Sequence, residues 1–326
     1  MVTAALPSSR PDLPPVDLRR VARGIYGTTR LAADGRSLWW AAHTPDGPAT
    51  LLAEQQHAKL DFTVWGPGGD WMCEQAPRVV GWHDAPHGFR PAAGVVRDLW
   101  RRSGGLRLGR TDRVFDAALE AVLGQKVQTT LARRSLRRIV AALGEPAPGP
   151  ARLTLFPTPQ RLAALSYVDL HPFGVERRRA DTLLRVARHA SRLEAAGRAG
   201  PERLEQCMRA IPGVGIWTSA LVLVSALGDP DAVPVGDFHL PHVVCWALAG
   251  EPRGDDQRML DLLEPFRPHR GRVVAMLVSP WGYGPRFGPR LECLPVDGFD
   301  RPDAGLRDRG PHGGGHRGSP RRPPRR

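Results

Sequence analysis

Two short stretches hold the residue types best suited to chemistry. The first is Ile211-Pro212-Gly213-Val214-Gly215, where the helical segment Pro201–Ala210 stops and another begins at Ile216. Two glycines one residue apart permit a tight hairpin, and the helix that follows must start with N–H groups that have no partner inside it. Those amides, together with the positive end of the helix dipole, suit a phosphate held without regard to what it is attached to. The second stretch is Ala232-Val233-Pro234-Val235-Gly236-Asp237-Phe238-His239, an apolar segment that delivers one carboxylate. Such a carboxylate can stabilise a developing positive charge and orient or activate a water. It can equally cap a helix beginning near Phe238, and the two roles are compatible.

Other reactive groups point away from metal or redox chemistry. Cys73, Cys207, Cys245 and Cys293 are scattered, with no C-x-x-C pair, and read as reduced thiols rather than zinc or iron–sulfur ligands. His239 and His242 are i, i+3 neighbours on the expected helix but lack a third ligand at suitable spacing. No metal site is expected. Lysine occurs only as Lys59 and Lys126, so amine nucleophiles are scarce. Basic runs on helical segments, Arg133-Arg134 with Arg137-Arg138 and Arg177-Arg178-Arg179, suit either solvated faces or contacts with a polyanion.

With both stretches in view, the chain resembles the helix-hairpin-helix (HhH-GPD) DNA glycosylase superfamily. The nearest likeness within it is the bacterial DNA-3-methyladenine glycosylase II group. The resemblance runs from roughly Thr111 to Arg290 and is strongest at Ile211–Trp217, Val235–His239, Gly124-Gln125-Lys126-Val127 and Phe156–Ala164. It implies that Asp237 is the catalytic residue, supporting an oxocarbenium-like sugar as a flipped base departs. It implies a base pocket of Trp217, Leu221, Phe238 and Trp281, with Tyr283 near Trp281 as a further wall. Trp217 stands where lyase-active relatives carry a Schiff-base lysine, so hydrolysis without strand cleavage is expected. The tryptophan can stack on a cationic alkylated purine or simply pack the core. Four positions on, where the family has an aromatic residue, this chain has Leu221. DNA contacts are expected at Gly213, Val214, Gly215, Thr218, Gln125 and Lys126. Relatives insert a side chain into the duplex at the Gln125-Lys126 loop, where Lys126 would be a polar wedge. Hairpin carbonyls could hold a monovalent cation, as they do in relatives.

The chain that must position these residues has 326 of them, is 41% hydrophobic and carries a formal charge of +13. That is enough for packed cores, and the charge favours a polyanionic partner such as nucleic acid. Residues 1–15 read as a loose lead-in and residues 16–105 as a β-rich domain, with strands at Ser37–His43, Ala49–Ala53 and Leu60–Trp65 around a Pro45-Asp46-Gly47-Pro48 turn. Residues 106–293 read as a helical domain. Asp112 should cap a helix carrying Val114, Phe115, Ala118, Leu119 and Val122, and a second stripe follows through Val127, Leu131, Ile139 and Val140. Further helices are expected at Val175–Leu193, Pro201–Ala210, Ile216–Leu227, Leu240–Leu248, Met259–Phe266 and Gly271–Val278. Residues 294–326, rich in Arg, Pro and Gly, read as a disordered tail. The fold expected is therefore α+β, a small antiparallel sheet ahead of a helical core. No leader and no apolar run of about 18 residues is apparent, so a cytoplasmic monomer acting on duplex DNA with damaged bases is expected. The alternatives are a catalytically silent hairpin protein that only binds DNA, and an oxidised-purine (8-oxoguanine) glycosylase.

Overall fold

The computed structural model of the protein describes residues 1–7, 15–56, 59–84, 86, 88–91, 94–103 and 106–278. Trp281, Tyr283 and the 294–326 stretch lie outside the described residues. The N-terminal part is a five-stranded antiparallel sheet of β1 (Val2–Pro7), β2 (Thr28–Leu31), β3 (Ser37–Thr44), β4 (Gly47–Gln56) and β5 (Lys59–Trp65), in the order β1-β5-β4-β3-β2. The expected turn joins β3 to β4, with Thr44 opposite Gly47 and the Thr44 hydroxyl donating to the Gly47 carbonyl at 2.8 Å. Alternation along β5 sends Leu60, Phe62 and Val64 inward. There they meet Leu18 and Val21 of α1 (Leu18–Gly24) and Met72, Ala76 and Val79 of α2 (Gly69–Val79).

The first fifteen residues are not all a loose lead-in, because Val2 pairs with Val64 and Leu6 with Leu60 at the edge of this sheet. Most side chains of β1 are exposed, so backbone pairing holds the strand and no alternation betrays it in the sequence. The β-rich region is also less uniform than expected. Its last helix, α3 (Gly94–Arg102), shares a core with α12 (Leu240–Ala249), α13 (Asp256–Leu263) and α14 (Arg270–Leu277), not with the sheet.

The main helical layer is built around α4 (Val114–Leu123), whose apolar side chains are buried all round. Packed about it are α5 (Thr129–Leu143), α6 (Pro159–Ala163), α7 (Tyr167–Leu170), α8 (Arg177–Arg188), α9 (Ala190–Ala199), α10 (Pro201–Arg209) and α11 (Ile216–Val222). The expected Val175–Leu193 helix is two helices broken at His189, and α11 continues as a π-helical turn over Leu223–Leu227. Asp112 does not cap α4. With φ of 50° it turns away and accepts from Arg110 at 2.6 Å and Arg78 at 3.3 Å. A distant carboxylate replaces it, because Glu194 accepts the N–H groups of Val114 and Phe115 at 3.2 and 2.9 Å. A buried acid from α9 thus satisfies amides that a local cap would otherwise serve.

The C-terminal helices are locked to the rest by a buried ion pair. Arg272, fully buried, donates to both Asp84 oxygens at 2.6 and 2.7 Å and to the Leu106 carbonyl at 2.6 Å. Replacing Asp84 with Ala strands that guanidinium, and we expect a loss of about 3–5 kcal/mol in urea unfolding. A loss below about 1 kcal/mol would show that water reaches Arg272 in solution.

Candidate active site and nucleic-acid interface

The hairpin between α10 and α11 is shaped by one tight approach. Gly213 has φ of 97°, and a Cβ there would stand 2.1 Å from the Thr182 hydroxyl of α8, so only glycine fits. Gly215, by contrast, faces open space. The first α11-side bond runs from Ser219 N–H to the Gly215 carbonyl, leaving the amides of Ile216, Trp217 and Thr218 at the helix start. Pro212, Gly213, Gly215 and Ile216 are exposed, whereas Val214 and Thr218 are buried at 7% and 2% exposure. The expected contacts of Val214 and Thr218 with DNA therefore cannot use their side chains; Val214 belongs to the core and its N–H bonds to the Ile211 carbonyl at 3.0 Å.

Gln125, expected on the DNA, is turned inward as a tie. Its Nε2 donates to the Gly213 carbonyl at 3.0 Å and to the Thr218 hydroxyl at 2.8 Å, joining the α4–α5 loop to the hairpin. Lys126, with φ of 54°, is the exposed tip of that loop. Arg185 donates to the Pro212 carbonyl at 3.2 Å. Two hairpin carbonyls thus already have donors, one of them a guanidinium.

Asp237 lies at the end of the loop after α11, half-buried, and three donors converge on it. Trp217 Nε1 donates to Oδ2 at 2.9 Å, while the N–H groups of His239 and Leu240 donate to Oδ1 at 2.8 and 3.0 Å. The residue caps the start of α12 and faces the tryptophan at once. That tryptophan lies beside α4, since a Cβ on Gly124 would be 3.3 Å from Trp217 Cη2. Leu221 follows one turn along α11 and is half-buried. Phe238, expected in the base pocket, is 81% exposed and stacks edge-on with His239. Capping by Asp237 sends its successor outward.

Residues 119–268 match the family described as HhH-GPD superfamily base excision DNA repair protein. That match covers just under half of this chain. It is 33% identical over 147 residues to a protein of Mycobacterium tuberculosis (strain CDC 1551 / Oshkosh) named probable bifunctional transcriptional activator/DNA repair enzyme AlkA, covering 44% of this chain and 29% of that one. It is 34% identical over 130 residues to DNA-3-methyladenine glycosylase 2 of Escherichia coli (strain K12), covering 39% of this chain and 45% of the relative. The chain therefore spans less than half the length of either relative. Its fold is that of the 3-methyladenine DNA-glycosylase from Archaeoglobus fulgidus, with a TM-score of 0.70 at 17% identity over 85% of this chain and 98% of the other.

Among the described residues the structure brings together Trp217, Leu221, Asp237 and the hairpin, and leaves Phe238 and Lys126 exposed. Tyr26 and Glu120 beside Trp217 escaped the sequence reading. Glu120 left a signal, one of two acids in an otherwise apolar α4, whereas Tyr26 arrives from the sheet region by tertiary packing alone. Among the described residues no group of three His, Cys, Asp or Glu could hold a metal, and no helix is long and apolar enough to cross a membrane.

The hairpin geometry predicts unequal tolerance at its two glycines. Gly213→Ala should cost about 2–4 kcal/mol of stability from strain plus overlap with Thr182, while Gly215→Ala should stay within about 1 kcal/mol. Chemical denaturation of both variants checks this, and equal losses would contradict the packing of α8 on the hairpin.

Proposed function

We propose that the protein is a monofunctional DNA glycosylase that hydrolyses the N-glycosidic bond of alkylated purines flipped out of duplex DNA. The observation that carries this is the Asp237 carboxylate, held by two amides and by Trp217, the second residue of the helix that follows the hairpin. A hairpin that offers free amides supplies a sequence-independent hold on a phosphate, and an orienting cap fixes the carboxylate for a charge that develops only in the transition state. The names of the two relatives point the same way.

In the reaction, the extruded purine lies against the Trp217 face, where an alkylated ring's positive charge is attracted to the indole. As the C1′–N bond breaks, the sugar gains positive charge, which Asp237 stabilises. A water then adds to C1′, with Asp237 accepting its proton. No amine stands at position 217, Lys59 lies in β5, and Lys126 is at the exposed loop tip, so no covalent imine is expected. A protein that only gripped phosphate would gain nothing from a carboxylate in this position, since its charge repels the backbone.

The test is free-base release from duplex DNA methylated to contain 3-methyladenine and 7-methylguanine, comparing the natural chain with Asp237→Asn. Release should fall by about 100-fold or more in the variant, with strand breakage only after alkali. Binding without release would leave a DNA-binding module, and breakage without alkali would replace the monofunctional reading with a lyase.

A further inference from the structure

Two acids stand one turn apart in α4, Asp116 and Glu120. Asp116 is a structural group, buried at 4% exposure, with Arg113 Nε 3.8 Å from its carboxylate. Glu120 is placed differently. Its Oε1 accepts the Gly27 N–H at 2.7 Å, its other oxygen takes no hydrogen bond from a described residue, and the residue is half-buried.

The surroundings of Glu120 put it near Trp217, the indole partner of Asp237. One turn further along α4 is Gly124, the residue that Trp217 packs against. On the facing helix Trp217, Leu221 and Ser225 follow at four-residue steps, and Ser225 Oγ accepts the Tyr26 N–H at 2.7 Å. The pair Tyr26-Gly27 therefore bridges both helices, with one amide bound to each. Its phenol is buried, and burial lifts it well above the ordinary tyrosine range; the charges of Glu120 and Asp237 add to the rise and Arg133 opposes it. Both carboxylates thus act on one hydroxyl.

We propose that Glu120 is a second catalytic acid of this pocket, giving a proton to an uncharged purine as it leaves while Asp237 supports the sugar; this rests on the glycosylase reading above. A cationic alkylated purine departs neutral without help, but an uncharged purine would depart as an anion unless it is protonated. In the step, the C1′–N9 bond breaks with its electron pair passing to N9, and the Glu120 proton passes to a ring nitrogen of the base. The base leaves neutral and Glu120 is left as a carboxylate, held by the Gly27 amide within the field of Arg133. Water adds to C1′ and loses a proton to Asp237, and solvent returns one proton to Glu120 and takes one from Asp237. The sum is hydrolysis.

The environment suits an acid working near neutrality. Burial pushes the Glu120 carboxyl up to about 7, with the Asp116 charge acting in the same direction and the Gly27 amide and Arg133 acting against it. The groups around it are Asp116 on its own helix, Arg133 on α5, Tyr26 and Gly27 after α1, and Asp237 beyond the phenol. The facing helix α11 contributes no titratable side chain, its sequence being Ile-Trp-Thr-Ser-Ala-Leu-Val. Below about pH 7 the acid carries its proton, and above it the proton is lost, so the contribution must decline with rising pH.

The experiment is single-turnover release of hypoxanthine, which is uncharged, and 7-methylguanine, which is cationic, from about pH 5.5 to about pH 8.5. The natural chain is compared with Glu120→Gln, which keeps an acceptor for the Gly27 amide. Hypoxanthine release by the natural chain should fall about tenfold per pH unit above about 7, a limb absent for 7-methylguanine, and the variant should lower the ratio of hypoxanthine to 7-methylguanine release about 100-fold. Equal losses on both bases, an unchanged ratio, or a natural chain that releases only 7-methylguanine would overturn the assignment of Glu120 while leaving the glycosylase reading intact. Release of neither base would sink both. If Glu120→Gln melts too early to assay, the natural chain's two pH profiles decide alone: a limb confined to hypoxanthine supports the assignment, and the same limb for both bases, or for neither, removes it.

Discussion

The position of one carboxylate depends on three N–H donors, and much of the helical half of the molecule serves to bring those donors together. Asp237 is bound by the Trp217 indole on one side and by the first amides of α12 on the other. For both to reach it, α11 and α12 must be held at a set separation by the loop between them. That loop is tied at several points: Asp231 accepts from Arg270 at 2.6 Å and Arg267 at 3.2 Å, Arg272 N–H bonds to the Pro230 carbonyl, and Gly236 N–H bonds to Asp256. A carboxylate positioned this way has lost its rotamer freedom before any ligand arrives, which is the condition for stabilising a charge that appears only in passing.

The segments around Asp237 belong to three hydrophobic cores rather than one. The sheet with α1 and α2 forms one core, the helices around α4 another, and α3 with α12 to α14 a third. Trp217 belongs to the second layer and Asp237 to the entrance of the third, so their hydrogen bond crosses a seam. Tyr26-Gly27 crosses another seam, from the first core to the second. Groups at such seams keep partial access to solvent while their backbones are fixed on both sides. The buried Arg272–Asp84 pair serves the same end at a distance, since it fixes α14, and through it the loop, against the N-terminal half.

Chemistry and architecture therefore divide between local and distant residues. The wall beside Trp217 has Leu221 on its own helix, while the aromatic ring near the two carboxylates, Tyr26, comes from a segment nearly two hundred positions earlier in the chain. The surroundings of Asp237 then depend on how the sheet region docks as well as on the hairpin.

What the sequence determined by itself was whatever depends on neighbours in the chain. The Gly213-Val214-Gly215 turn, the alternation in β3 to β5, the apolar stripe of α4 and the delivery of Asp237 after α11 all follow from backbone constraint and periodicity over a few residues. Tertiary structure alone decided the rest. It capped α4 with Glu194 instead of Asp112, paired the mostly exposed β1 with β5, moved α3 to the C-terminal helices and turned Phe238 out to solvent. It also turned Gln125 inward and brought Tyr26 within reach of the charges of both Glu120 and Asp237. Each of these joins groups far apart in sequence, where the partner is chosen by which surfaces pack together, and no local pattern of polarity or periodicity carries that information.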